Sequence, residues 1–215
     1  IAAGKKPFRV GPYYLYSLPL PAYGIETIGG WYPFIGTRIR HYLDAVNNYE
    51  SLDSVGEITQ TDFNLSLLSL ANVKYFVSFK PLPRDDLQLL VAPAENSWKL
   101  STAGKLDLAL RYNFSDTNKY YIYQNPHAFP RFFFTPGVRL FESQEDLLTA
   151  MAEADIETLR NNAFLTWPPG ASEPPPDPSS SAQHIELVEY GADRLVLKVA
   201  TDGRSFLVVT NNYSP

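Results

Sequence analysis

Residues 120–134, YYIYQNPHAFPRFFF, constrain the fold more than any other stretch: an aromatic run, a polar corner punctuated by proline, then a second aromatic run opened by an arginine. Tyr121 and Tyr123 alternate with Tyr120 and Ile122, so a strand here carries large amphipathic side chains on both faces and must be half-buried or interfacial. Asn125-Pro126 ends that strand: proline donates no ladder hydrogen bond and pushes its predecessor into an extended conformation, while Asn bonds its own backbone in turns. Pro130 then presets the entry into Arg131-Phe132-Phe133-Phe134. Three consecutive exposed phenylalanines are an aggregation hazard, so at least two of these rings are expected under protein. Asn125 and Arg131 are the candidate ligand contacts of the corner. Each has a structural alternative, Asn125 as a turn former and Arg131 as a guanidinium stacked on a ring or bonded to corner carbonyls.

The rest of the chain mixes short strands with a few helices. Thr37 can cap a helix with Ile39, Tyr42, Leu43 and Val46 on one stripe, and Thr61 or Asp62 can start a second that buries Leu65 and Leu68, with Phe63 and Leu67 as further candidates. Ser143 to Asp146 reads as a capping box opening a third, with Leu147, Leu148, Met151 and Ala154 inward; the acids Glu153, Asp155 and Glu157 then continue its surface. Strands are expected at 73–79, at 87–91, at 106–112 paired with 119–124, and at 138–141. Prolines at 12, 19 and 21 confine the segment from Pro12 to Gly24 to an extended surface path. Residues 168–183, PPGASEPPPDPSSSAQ, hold six prolines and four serines, too polar and stiff to bury a core. This tether divides the chain into an α+β part, residues 1–167, and three C-terminal strands in 184–215 that pack on it or complete it. Asp202-Gly203 is a hairpin signal between the last two of those strands. The expected fold class is α+β, mostly β: a mixed or antiparallel sheet with two to three helices, followed by a small antiparallel, β-sandwich-like part.

Composition removes several functions. With 215 residues the chain can bury a sizeable core, and a formal net charge of -5 provides no basic face for nucleic acid and no polybasic run for an anionic membrane surface. Zero cysteines exclude disulfides and thiolate metal sites. No run of about 18 apolar residues is present to span a bilayer. A start at Ile1 without methionine is what a piece of a longer protein is expected to show.

Chemistry-bearing constellations are scarce. His41, His127 and His184 have no metal-ligand spacing, and there is no phosphate loop, GxSxG elbow or cysteine nucleophile, so neither a cofactor nor a catalytic residue is expected in these 215 residues. Asp85-Asp86 follows a proline loop and reads as surface. Asn64, Asn113 and Asn212 each begin an N-glycosylation tripeptide, a pattern short enough to arise by chance. Trp31 and Tyr32 beside Gly29-Gly30 are the candidate sugar-stacking platform, with a core cluster as the alternative.

Three segments carry a resemblance. NLSLLSLANVKYFVS, from Asn64, is similar to the "LLNVKYVI" segment, and YYIYQNPHAFPRFFF to the "VYENPxALPRAF" segment, of large bacterial multi-pass membrane proteins of the YfhO type, which are related to GT-C glycosyltransferases. SFLVVTNNYSP at the chain end resembles their "LVLSDTYYPGWKAYVDG" segment, and Gly29-Gly30-Trp31-Tyr32 with the helix after it resembles their "GYxSL…RY" region. The resemblance covers most of the chain, with Val73-Lys74-Tyr75, Asn125-Pro126 and Pro130-Arg131 as its specific parts. Phe133-Phe134, in place of a small residue after the arginine, and the proline tether depart from the family pattern.

The resemblance implies an extracytoplasmic domain whose partners are its own transmembrane region and a cell-surface glycan or polyprenyl-phosphate sugar. It implies a parent that moves sugar from a polyprenyl-phosphate donor to an outer-surface acceptor, with its catalytic acid in a membrane-proximal loop near the start of the full chain. None of the acids here inherits that role, and the domain's own share would be to bind the acceptor or to act as a scaffold. The alternative from another class is a purely structural or protein-interaction module without glycan contact.

Overall fold

The computed structural model describes residues 7–13, 26–28, 37–49, 58, 60–93, 120–167, 179, 183–191 and 194–210. Trp31 and Tyr32, the strand expected at 106–112, the Asn113 and Asn212 tripeptides and nearly all of the proline tether lie outside these residues.

The fold is α+β and mostly β, with eleven strands and four helices among the described residues. Five strands form a mixed sheet in the order β2 (Glu26–Thr27), β1 (Arg9–Tyr13), β3 (Val73–Ser78), β5 (Tyr121–Gln124), β4 (Gln88–Val91). β1 runs parallel to both β2 and β3, and β5 runs antiparallel to β3 and β4. The parallel β1–β3 step requires a crossover, supplied by α1 (Thr37–Val46) and α2 (Leu65–Leu70). Pro12, expected on a surface path, sits buried inside β1 opposite Val77.

A bulge explains how β3 serves both faces. Arg9 pairs with Val73 but Val10 with Tyr75, so Lys74 is the extra residue and the side-chain alternation resets across it. Val73 and Phe76 therefore share the main core with Phe63, Leu67, Leu68, Val46 and Tyr123, while Tyr75 and Val77 pack with Val10 and Tyr120 on the opposite face. Gly11 makes the close β1–β3 approach possible: a Cβ there would lie 2.9 Å from two ring carbons of Phe76 and 3.1 Å from Val73 Cγ1. The Phe76 ring is stacked on Phe63 at 5.1 Å and has nowhere to retreat. Gly11→Ala is therefore expected to cost about 1–3 kcal/mol by overpacking. Thermal melting checks it, and an unchanged midpoint would show that the ring can move.

The helix starts differ in detail from the sequence reading. Asn64, rather than Thr61 or Asp62, caps α2, accepting from Leu67 N at 3.1 Å and donating to Ala152 O at 2.7 Å. An amide nitrogen committed in this way is not presented to a glycosylating enzyme. Of the expected capping box the N-cap half forms: Ser143 Oγ accepts from Asp146 N at 3.0 Å and opens α3 (Gln144–Glu153), which buries Leu148, while the Asp146 carboxylate accepts from that hydroxyl at 2.7 Å. Glu153, Asp155 and Glu157 do not share one helix. Asp155 caps a separate α4 (Ile156–Asn161), accepting from Thr158 N at 2.7 Å, and that bond is the first cause holding its carboxyl below the usual range.

Three two-stranded units complete the fold. β7 (Gly137–Phe141) runs parallel to β8 (Asn162–Thr166), with α3 and α4 as the crossover. β9 (Gln183–Tyr190) and β10 (Leu195–Thr201) form an antiparallel hairpin, closed by Gly191 N donating to Arg194 O at 2.8 Å. The turn at Asp202-Gly203 does not make a second hairpin: β11 (Phe206–Val209) leaves β10 and pairs antiparallel with β6 (Phe132–Thr135), Leu207 opposite Phe134. A second core lies beneath, where Phe129, Phe133 and Leu159 meet Met151, Phe164 and Val208. The apolar face of β6 explains the switch, because pairing there covers phenylalanines that a β10–β11 hairpin would leave bare. Phe133 is buried and its two neighbours half-buried.

Candidate functional site

The corner that follows β5 is clasped onto the α2–β3 turn. Asn125 N donates to Lys74 O at 2.9 Å, and its side-chain nitrogen donates to Ser69 Oγ and Val73 O, both at 2.9 Å. Its Oδ1 accepts from His127 N at 3.0 Å, the local turn bond expected of Asn before Pro. Phe129 N donates to Ser69 O at 2.9 Å, and Asn72 returns a bond to Phe129 O at 2.6 Å. Asn72 itself takes φ 62°, a left-handed conformation that Asn tolerates better than most residues. Asn125 is thus buried, with its amide committed inside the protein.

Arg131 leaves the corner on the other side. Its Nη2 donates to Glu26 Oε2 at 2.5 Å and to the Tyr190 hydroxyl at 3.0 Å, and that hydroxyl donates to Glu26 Oε1. Arg9 Nε stands 3.6 Å from the same Glu26 carboxylate while its Nη1 donates to Ala71 O at 2.8 Å. Thr210 N, just beyond β11, donates to Arg131 O at 3.1 Å. One carboxylate from β2 therefore gathers the starts of β1 and β6 and the end of β9. The arginine side chains are 8% and 4% exposed for Arg9 and Arg131, against 36% for Glu26.

The charges do not balance. Two guanidiniums share one carboxylate, and Arg131 Nε and Nη1 are buried without a hydrogen-bond partner among the described residues. Burial first, and Arg131 second, bring the Arg9 guanidinium down to about 10. Burial, then the bond to Glu26, pushes the Tyr190 hydroxyl up to about 12.

Beside this cluster lies a cavity of about 550 Å³. Arg9, Arg38, Tyr42 and Asn162 contribute polar groups to its wall, and most of the remainder is apolar, from Ile39 and Leu43 of α1, Met151 of α3, Phe164 and Leu165 of β8, and Phe206 and Leu207 of β11. Tyr42 is anchored by donating to Leu67 O at 2.5 Å, and burial drives its hydroxyl above the usual phenol range.

Of the four candidates from the sequence, the structure brings Asn125 and Arg131 to two sides of one corner; Trp31 and Tyr32 lie outside the described residues. Arg9, Glu26 and Tyr190 escaped sequence reasoning. Glu26 is 105 residues before Arg131 and has no local motif around it. All three histidines are exposed, and no group of metal-ligating side chains occurs among the described residues. Nor is any helix among them long and apolar enough to cross a membrane. Compared with protein-family models, curated proteins and solved structures, the chain finds no match.

Proposed function

We propose that the chain is an extracytoplasmic domain of a polytopic membrane protein similar to the YfhO type and to GT-C glycosyltransferases. Its role there is a scaffold over which a cell-surface acceptor glycan is held for transfer of sugar from a polyprenyl-phosphate donor. The observation that carries this reading is the meeting of three segments that resemble that family although they lie far apart in the chain. Asn125 bonds Ser69, Val73 and Lys74 of the first segment, and β6, which follows the corner, pairs with β11 of the last. Motif residues that served only as local turn formers would be scattered over the surface, whereas these hold one another in place.

Scaffolding is favoured over direct glycan contact at the corner because Asn125 and Arg131 direct their bonds inward. A second reading, a structural or protein-binding module without glycan contact, is favoured by the β9–β10 ribbon, on which Val188 and Val199 stand 60% and 42% exposed.

Two measurements test the proposal. The complete reading frame, fused to a topology reporter beside Ile1, is expected to contain a series of apolar spans and to report the extracytoplasmic side. A frame without such spans overturns the assignment. Tryptophan fluorescence of the chain during titration with surface-polysaccharide fragments separates the two roles. A saturable response supports a glycan-holding face, and a flat trace up to about 1 mM ligand, weaker than about -4 kcal/mol of binding, leaves the structural module.

A further inference from the structure

We propose that the cavity between α1, α3, β8 and β11 binds a single-chain amphiphile with an anionic head. Its alkyl chain lies among Met151, Phe164, Phe206 and Leu207, and its head meets Arg9 and Arg38.

Size comes first. The cavity is about half open to solvent, and its volume of about 550 Å³ falls within the roughly 300–1,000 Å³ of small-molecule sites. The lining selects the ligand class. Aliphatic and phenyl side chains offer few partners to the hydroxyls of a sugar, which would lose their hydration on entry. An alkyl chain suffers no such penalty and regains the dispersion contacts that an empty cavity forgoes.

Charge selects the head. Arg9 lines the cavity and shares the Glu26 carboxylate with Arg131, so the cluster beside the cavity carries a formal positive excess and Arg9 is its member on the cavity wall. A buried cation short of counter-charge is costly, and an incoming carboxylate or phosphate offsets that cost. Guanidinium forks match the planar carboxylate and the phosphate edge. Arg38, exposed on α1, adds a second cation where the cavity meets solvent. A purely apolar ligand would leave Arg9 facing hydrocarbon, and a small free anion would leave the apolar wall unfilled. Both requirements are met by one molecule.

Isothermal titration calorimetry of the chain with dodecanoate, dodecanol and acetate, below the micellar concentration, tests the proposal. Dodecanoate is expected to saturate a site, with dodecanol about tenfold weaker for loss of a charge-assisted contact and acetate giving no heat. Arg38→Ala, on an exposed helix face, is expected to weaken dodecanoate about threefold to tenfold and to leave dodecanol unchanged. Ala163→Phe, which fills the cavity, is expected to abolish both, with circular dichroism confirming the fold. Equal affinity for dodecanoate and dodecanol, dodecanoate binding undiminished in both variants, or no saturable site overturns the proposal. Should Ala163→Phe fail to fold, the Arg38→Ala comparison decides alone.

Discussion

Replacing Glu26 by glutamine is expected to cost about 2–4 kcal/mol, below the figure for a fully buried ion pair because the carboxylate is 36% exposed and partly screened by solvent. For a chain of this size that lowers the melting midpoint by roughly 10 °C. Exposure alone would suggest a small effect, since Glu26 is far less covered than either arginine. What decides it is stoichiometry. Glu26 is the carboxylate shared by Arg9 and Arg131, and a neutral amide in its place would leave two buried guanidiniums facing each other with no charge between them. Arg131→Met removes one of the two positive charges and keeps an apolar stem in place, so Glu26 retains Arg9 and the Tyr190 hydroxyl. Its cost is expected to be smaller, about 1–3 kcal/mol, because the repulsion that Arg131 exerts on Arg9 disappears with it. Urea denaturation of both variants gives the ordering. If Arg131→Met proves as costly as Glu26→Gln, the carboxylate is not the neutralising centre of the cluster.

Such a cluster could not be read from local sequence, and the reason is physical rather than a matter of weak signals. Periodicity, capping and turn chemistry are properties of neighbours in the chain, and they located β3, the Ser143 cap and the Asn125 corner because each depends on residues a few positions apart. Glu26 meets Arg131 only after β1 has set β2 beside the corner, and nothing around Glu26 announces that. The Asp202-Gly203 turn shows the same limit from the other side. Its local preference for a tight hairpin is real, but β11 pairs with β6 instead, where Val208 joins the core around Phe133. β8 escapes a sequence reading because Asn162–Thr166 follows directly on α4 and holds too short an alternation to separate from a helix end. The cavity is the extreme case. Its wall draws on α1, α3, β8 and β11, and no single segment carries a trace of it.

Asn125 offers the cleanest test of how far the corner organises the rest. Asn125→Ala removes the donor shared by Ser69 Oγ and Val73 O and the acceptor for His127 N, all in a buried junction. Each buried polar group left unsatisfied costs about 1–3 kcal/mol, and relaxation around the small side chain recovers part of the sum, so about 3–4 kcal/mol is expected. Asn125→Asp discriminates the cause. It preserves shape and the acceptor for His127 N but sets a carboxylate against Val73 O, so it is expected to be worse than alanine at neutral pH. A carboxyl buried against an acceptor has its pKa raised in the folded state, and the stability associated with its protonated form is present below the unfolded value near 3.9 and lost as pH rises through the folded one. Chemical denaturation from about pH 4 to 7 is therefore expected to show the Asn125→Asp variant weakening with pH relative to Asn125→Ala. A constant gap between the two would mean that the amide matters for its shape alone. In that event the clasp between the corner and the α2–β3 turn rests on the backbone bonds of Phe129 and Lys74 instead.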